Sequence, residues 1–193
     1  MPYIVDRNAS YNPSPNWSTF VPVEPDTLEF NPAGSSYDYS QAKQGVVIDM
    51  SALHHAFRAQ FDNELLETAK EDFMLSYEGP IVSDDFRQTI ERIEPSHHQF
   101  KQVRLYDYWG QPFEGTAFYL MNIVGIIMNA NMDWDAHRLP FQLFPDQKFG
   151  HLMRFELGSE FYASDQLAEA WKELNRKGQH MEFRILSENY ANL

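Results

Sequence analysis

Residues 115–132 read Gly-Thr-Ala-Phe-Tyr-Leu-Met-Asn-Ile-Val-Gly-Ile-Ile-Met-Asn-Ala-Asn-Met, and no charged side chain interrupts them between Glu114 and Asp133. Asparagine divides this stretch into apolar runs that are far shorter than the about 20 apolar residues a membrane-spanning helix needs. We therefore expect it to form the centre of a soluble core. Residues 116–121 are rich in aromatic and β-favouring side chains and predict a central strand. Residues 123–129 fit a strand or a short helix or turn, of which we predict helix or turn.

Two similar units flank this stretch, at residues 81–105 and 161–186. In each unit a short apolar run meets the dipeptide Ser-Asp, which places a good N-cap before a carboxylate that the helix dipole stabilises. Apolar residues then recur at helical spacing and lead into an alternating, strand-like run. Each unit therefore predicts strand, helix, strand. Any helix that follows a strand shares some of these features, and we interpret the two copies as an internal duplication around one core.

The N-terminal segment, residues 1–45, is rich in proline, asparagine and serine and predicts a loop-rich extension that wraps the fold. Within it, residues 3–5 are a candidate edge strand and residues 27–30 a candidate second strand. Its aromatic side chains favour packing against the fold over disorder, because disordered segments are poor in aromatics.

Four further patterns lie in residues 46–193. They predict a strand at 46–48, a helix from Ser51 to about Lys70, a turn at 106–112 and a strand at 151–155. The predicted fold class is α+β (mixed α/β). We expect a single domain with a central, mostly antiparallel or mixed sheet, the two strand-helix-strand units and the loop-rich N-terminal extension.

Composition narrows the function classes. The chain has 28 acidic against 15 basic residues, a formal net charge of -13, and no cysteine. An acidic surface disfavours nucleic acid and anionic membranes as partners and favours a basic one. The absence of cysteine excludes disulfides, thiolate metal sites and a cysteine nucleophile. The first residues lack the basic start and apolar run of a secretory signal, so we expect a cytoplasmic protein.

The most unusual local composition lies at residues 132–140. Two carboxylates, an indole, an imidazole and a guanidinium within six positions form either an exposed recognition loop or a self-satisfied, salt-bridged turn. The second candidate binding surface is the acidic face of the predicted helix at residues 51–70. The candidate binding residues are Asp133, Trp134, Asp135, His137, Arg138, Asp62, Glu64 and Glu67.

No specific catalytic motif is found. The sequence has no phosphate-binding glycine loop, no nucleophile elbow, no zinc-protease helix and no acidic calcium loop. Adjacent histidines on the predicted helix, His54 and His55, would diverge by about 100° and could not chelate one ion from one face. We therefore predict no catalytic residue, no metal and no cofactor, and expect that the protein is not an enzyme.

Several segments resemble, in order and spacing, immunity-protein family eleven of bacterial polymorphic toxins, long described as a domain of unknown function. The resemblance covers roughly residues 3–185, and residues 132–137 depart from the family pattern. It implies an immunity-like α+β domain at residues 46–193 behind the N-terminal segment. The segments that carry it are residues 80–86, 99–100, 118–124, 152–155 and 162–167.

The resemblance implies a cognate inhibitor. Such a protein, a monomer or homodimer before binding, neutralises a toxin delivered by type VI or other contact-dependent secretion through a stoichiometric complex. Toxins of the family often act in the cytoplasm, nucleases among them, so the expected partner is a basic toxin or effector domain. Two alternatives stay open. One is an effector chaperone or adaptor, and the other is an enzyme with an unrecognised His/Asp site.

Overall fold

The structure is a computed structural model that describes residues 3–7, 20–31, 44–60, 73–76, 78–127, 148–155, 161–174 and 181–185. These residues form strands, two α-helices and one 3-10 helix, at Met50–Ala52. The helices are α1 (Asp84–Ile93) and α2 (Asp165–Glu173). The strands are β1 (Tyr3–Arg7), β2 (Phe20–Pro22), β3 (Ala56–Ala59), β4 (Phe73–Ser76), β5 (Gly79–Ser83), β6 (Gln99–Tyr106), β7 (Phe118–Asn122), β8 (Ile126–Ile127), β9 (Leu152–Phe155), β10 (Phe161–Ala163) and β11 (Met181–Ile185).

The described residues form both helices and sheets, and the strands divide between two sheets. The predicted α+β class is therefore confirmed. Six of the described strands form a closed sheet in the order β2-β3-β6-β7-β5-β4. Most of its pairs are antiparallel, while β3 with β6 and β2 with β4 are parallel. The parallel pair between Phe20 and Ser76 closes the ring. The mixed pairing agrees with the expectation of a mostly antiparallel or mixed sheet.

The second sheet has the order β11-β1-β10-β9-β8. Strand β1 lies inside it and pairs antiparallel with β10 on one side and β11 on the other. The predicted strand at residues 3–5 is therefore confirmed, but its placement at a sheet edge is wrong. The reason is non-local, because both partners of β1 come from the far end of the chain.

Strand β7 explains why residues 116–121 are so apolar. Phe118 and Leu120 point into the closed sheet, where they pack with Ile81 and Phe57. Met121 follows Leu120 directly and so lies on the opposite face of β7, where it joins the apolar cluster that the two helices cover. Side chains of a strand alternate between faces, so a strand buried on both sides has no polar face and reads as one continuous apolar run. The predicted central strand is confirmed.

The two strand-helix-strand units form as predicted. Ser83 accepts a hydrogen bond from the amide of Phe86 at 3.1 Å, and Ser164 accepts one from the amide of Leu167 at 3.2 Å. These serines cap α1 and α2 and satisfy amides that a helix start leaves unpaired. The helices then pack on each other, with the rings of Phe86 and Trp171 4.3 Å apart.

Other local predictions are corrected. The helix expected from Ser51 is a single 3-10 turn, and Ala56–Ala59 is strand β3 instead. β3 is hydrogen-bonded between β2 and β6, and its residues are buried except Arg58, which is partly exposed, so the strand shows little of the alternation that marks a half-exposed strand. Residues 61–72 lie outside the described residues. The chain at 123–125 is irregular and continues as strand β8, so the helix expected there does not form over Ile126–Ile127.

A strap of residues 44–54 runs across the end of the closed sheet where β6 begins. Residues 46–48 are not a strand, because Ile48 bonds to the side chain of Gln99 through both its amide and its carbonyl. Asn122 donates to the carbonyl of Val46 at 2.8 Å. At Gly45 the strap crosses the chain at Gly125, whose amide donates to the Gly45 carbonyl at 2.8 Å. Within the described part of the chain, no helix has the length and apolar character needed to cross a membrane.

Candidate functional site

The binding residues predicted from the sequence lie in residues 61–72 and 128–147, outside the described residues. The structure therefore places none of them, and both surfaces stay predictions. They are Asp62, Glu64, Glu67, Asp133, Trp134, Asp135, His137 and Arg138. The described residues instead offer two polar clusters and one exposed aromatic turn, none of which the sequence analysis selected as a site.

The first cluster centres on Glu94, the residue that ends α1. Its carboxylate accepts hydrogen bonds from the amides of His151 and Leu152 at 3.1 and 3.3 Å and from Nε2 of His98 at 3.2 Å. Burial alone would raise the pKa of Glu94, but these donors and the neighbouring imidazoles outweigh it and lower the pKa to about 2. Glu94 thus joins the end of α1 to the start of β9 and links the two sheets.

His98 is locked by its two partners. The amide of Val124 donates to its Nδ1 at 3.1 Å, so Nδ1 carries a lone pair and Nε2 carries the proton that goes to Glu94. Burial lowers the pKa of His98 below its usual range, and the nearby carboxylate offsets only part of this effect. A neutral, fully bonded imidazole in this position acts as a structural bridge.

His151 and Ser164 form a serine–histidine pair, with Nδ1 2.8 Å from Oγ. Oγ of Ser164 also accepts a hydrogen bond from the amide of Leu167. The backbones are joined as well, since the amide of Ser164 donates to the carbonyl of His151. Although a nucleophile and a base would use the same residue types, here Oγ of Ser164 caps α2, and its contact with His151 ties the start of α2 to the residue before β9.

The second cluster joins Glu78 to the strap. Its carboxylate accepts from the backbone amide of His54 at 2.9 Å and from Nδ1 of the same residue at 2.5 Å. Lys101 donates to the carbonyls of Leu53 and Ser51 beside it. Nε2 of His54 is enclosed and has no hydrogen-bond partner among the described residues, so no solvent-borne substrate reaches it in this structure. His54 lies on irregular chain before β3, not on the helix that the sequence predicted.

An exposed aromatic pair occupies the turn between β6 and β7. Tyr108 and Trp109 have exposed fractions of 45% and 57%, and their rings meet edge to face at a centroid distance of 5.9 Å. The amide of Asp107 donates to the carbonyl of Gln111 at 2.8 Å, and the amide of Gln111 returns a bond to the Asp107 carboxylate at 2.7 Å. The turn predicted at residues 106–112 is confirmed, and it holds its aromatic tip in one conformation.

A second turn packs against the first. A Cβ at Gly110 would lie 2.8 Å from the side chain of Leu28, which belongs to the turn at residues 24–29. Phe30, half exposed, follows in the same segment. We call the surface formed by these two turns the acidic–aromatic surface, because residues 20–31 and 105–117 contain no lysine or arginine. Its members are Phe30, Tyr108 and Trp109 with the carboxylates of Glu24, Asp26, Glu29, Asp107 and Glu114.

A polar groove of about 400 Å³ lies between α1 and α2. Its walls carry both signs of charge, with Arg92 on one helix and Glu173 on the other. Asp85 also lines it. Among the described residues, no group of three or more histidine or acidic side chains could hold a metal ion there or elsewhere.

Comparison with known protein families finds no family model that matches this chain, and comparison with curated proteins finds no similar sequence. The resemblance to the immunity-protein family therefore stays a prediction. Sequence reasoning found the turn at residues 106–112 but gave it no role, because nothing local separates an aromatic residue that folds back from one that stays exposed. The signal that could have found it was the run of aromatic residues at a turn flanked by Asp107 and Glu114.

Proposed function

We propose that this chain is an immunity protein that binds and neutralises a cognate antibacterial toxin by forming a stoichiometric complex. One observation carries the proposal: exposed aromatic rings stand on a hydrogen-bonded turn among carboxylates, in a chain of net charge -13. Aromatic side chains are common anchors of protein interfaces, and complementary charge accelerates encounter. A protein that acts by binding needs such a surface, whereas an enzyme needs a reactive group open to substrate.

The partner we propose is a basic toxin domain. A toxin that acts on nucleic acid in the cytoplasm carries a basic cleft, which an acidic protein can occupy. The immunity protein would then reside in the cytoplasm, and delivery of the toxin by type VI or another contact-dependent secretion system fits this arrangement. The resemblance described above supports the same assignment.

The test is growth rescue. The candidate toxin, taken as the product of the gene next to this one, is expressed from an inducible promoter, alone and together with this protein, in a sensitive bacterial host. We expect growth arrest with the toxin alone and normal growth with both. Size-exclusion chromatography of the purified pair should give one complex of fixed stoichiometry. Arrest in the presence of this protein, with no complex formed, would refute the proposal.

The same observation also fits an effector chaperone or adaptor, which binds a secreted protein without neutralising it. The two functions differ in one readout. A chaperone raises the level or export of its partner and leaves the toxicity of that partner in the cytoplasm unchanged. Growth and partner abundance, measured in the same co-expression strain, therefore separate them.

A further inference from the structure

We propose that the toxin binds at the acidic–aromatic surface, with Tyr108 and Trp109 as the anchor residues. The site that receives them on the toxin is a concave cleft lined with lysine and arginine. This inference rests on the proposed function and adds to it the surface and the shape of the partner. The residues it names differ from those of the loop predicted as a binding site at residues 133–138.

Rigidity comes from the bonds within the turn and from its base. The amide of Gly110 donates to the carbonyl of Asp107 at 3.1 Å, and Gly110 has φ +87, a conformation that glycine adopts without strain. Phe113, just beyond the turn, packs edge to face on Phe20 and Phe118 at 6.2 and 6.3 Å, inside the end of the closed sheet. A tip fixed in this way loses little conformational entropy when a partner closes on it.

Exposure distinguishes Tyr108 and Trp109 from the aromatic residues of the core. Trp109 is the most exposed of the large aromatic side chains described, whereas Trp171 is 1% exposed and packs on Phe86. An indole on the surface gives a large apolar area with only two rotatable bonds, which suits an interface anchor. Two rings on the tip of a projecting turn fit a concave site better than a flat one.

Charge fixes the nature of the partner. Asp107 and Glu114 flank the aromatic pair along the chain, and Glu24, Asp26 and Glu29 lie in the turn that contacts Gly110. Arg58 on the neighbouring strand β3 pairs with Tyr106, at the base of the turn. A nucleic acid or an anionic membrane would meet these carboxylates with like charge. A basic cleft would meet them with opposite charge.

Other exposed apolar residues fit an anchor less well. Val46 and Val47 lie on the strap, and valine is under-represented among residues that dominate binding energy. Phe149 is as exposed as Tyr108, but its ring lies 5.2 Å from that of Tyr162 at a buried strand. Phe149→Ala is therefore a matched control, since it removes an equally exposed aromatic ring from outside the acidic–aromatic surface.

The experiment uses biolayer interferometry to measure binding of the purified candidate toxin, the product of the neighbouring gene that is tested for growth arrest above. We expect the double variant Tyr108→Ala, Trp109→Ala to weaken binding by about 100-fold, mostly through faster dissociation. Its melting temperature should stay within about 2 °C of the original, because surface changes of this kind have small effects on stability. Phe149→Ala should bind within about threefold of the original protein.

Two further variants complete the test. The triple variant Glu24→Gln, Glu29→Gln, Glu114→Gln should slow association at low salt and lose most of that effect at high salt, since rim charges act on the encounter rate. The variant Asp133→Asn, Trp134→Ala, Asp135→Asn tests the rival loop. A folded Tyr108/Trp109 variant that binds like the original, or a loss of binding confined to the loop variant, would overturn the inference and leave the proposed function standing. Failure of the original protein to bind or protect would overturn both.

Discussion

Replacing Glu94 with glutamine is expected to destabilise the protein by about 2–3 kcal/mol at pH 7. The carboxylate receives three donors, the amides of His151 and Leu152 and the Nε2 proton of His98, and only 13% of its side chain is exposed. Glutamine keeps one acceptor and turns an NH₂ group toward these donors. A charge-assisted hydrogen bond contributes about 1.5–3 kcal/mol, and a donor left buried without a partner costs about 1–3 kcal/mol.

The lowered pKa of Glu94 gives a similar magnitude for this destabilisation. A folded-state value of about 2 against the ordinary 4.5 corresponds to about 3 kcal/mol, at 1.36 kcal/mol for each pH unit, and partial solvation reduces this figure. Since the folded-state pKa lies below the unfolded-state value, the stabilisation is complete above about pH 5 and is lost as the pH falls through 4.5 toward 2. By about pH 3 less than half of it should remain.

Urea denaturation at pH 7 and at about pH 3 measures the effect. Glu91→Gln is the control: Glu91 lies on the same helix and pairs with Arg87 at 2.5 Å, but its side chain is 40% exposed, so its loss should cost under about 1 kcal/mol. A difference between Glu94→Gln and the original protein that is under about 0.5 kcal/mol, or that does not shrink on acidification, would refute the assigned role of Glu94.

Five further substitutions have defined outcomes in thermal or urea denaturation. Gly45→Ala should destabilise by about 2–3 kcal/mol, because φ is +66 and the added Cβ would lie 2.7 Å from the facing backbone; unchanged stability would contradict the crossing. Trp171→Ala should cost about 3–5 kcal/mol while Trp109→Ala costs under about 0.5, so equal losses would contradict their opposite burial. His98→Gln should cost about 1–3 kcal/mol and the exposed His97→Gln almost nothing, a contrast that metal binding by both residues would remove.

The parts of the fold that follow from local signals were predicted from the sequence. Ser83 and Ser164 start helices because each supplies an oxygen to a nearby amide, and that chemistry needs only three or four neighbouring residues. Strand β7 was predicted because burial on both faces leaves an uninterrupted apolar run. The turn after β6 was predicted from its glycine and proline.

The parts that depend on distant partners could not be predicted. Residues 51–60 have an apolar spacing that fits a helix, and only hydrogen bonding to β2 and β6 makes Ala56–Ala59 a strand. The division into two sheets depends on β1 pairing with β10 and β11, which no local pattern encodes. For the candidate site, exposure of Tyr108 and Trp109 is a property of the folded surface, and their composition is equally compatible with burial.

The interior position of β1 sets the order in which this protein can be completed during synthesis. Val5 pairs with Phe161 and with Phe183, so β1 stays without its partners until the ribosome has synthesised β10 and β11. The strands of the closed sheet lie within residues 20–122 and are all synthesised before β10 and β11. The closed sheet can therefore assemble while β1 is still unpaired. Until then β1 has unpaired backbone N–H and C=O groups along both edges and can pair with the wrong strand. Translation that stalls between residues 163 and 181 would therefore release a chain that has every strand of the closed sheet but lacks β11, a partner of β1 in the second sheet.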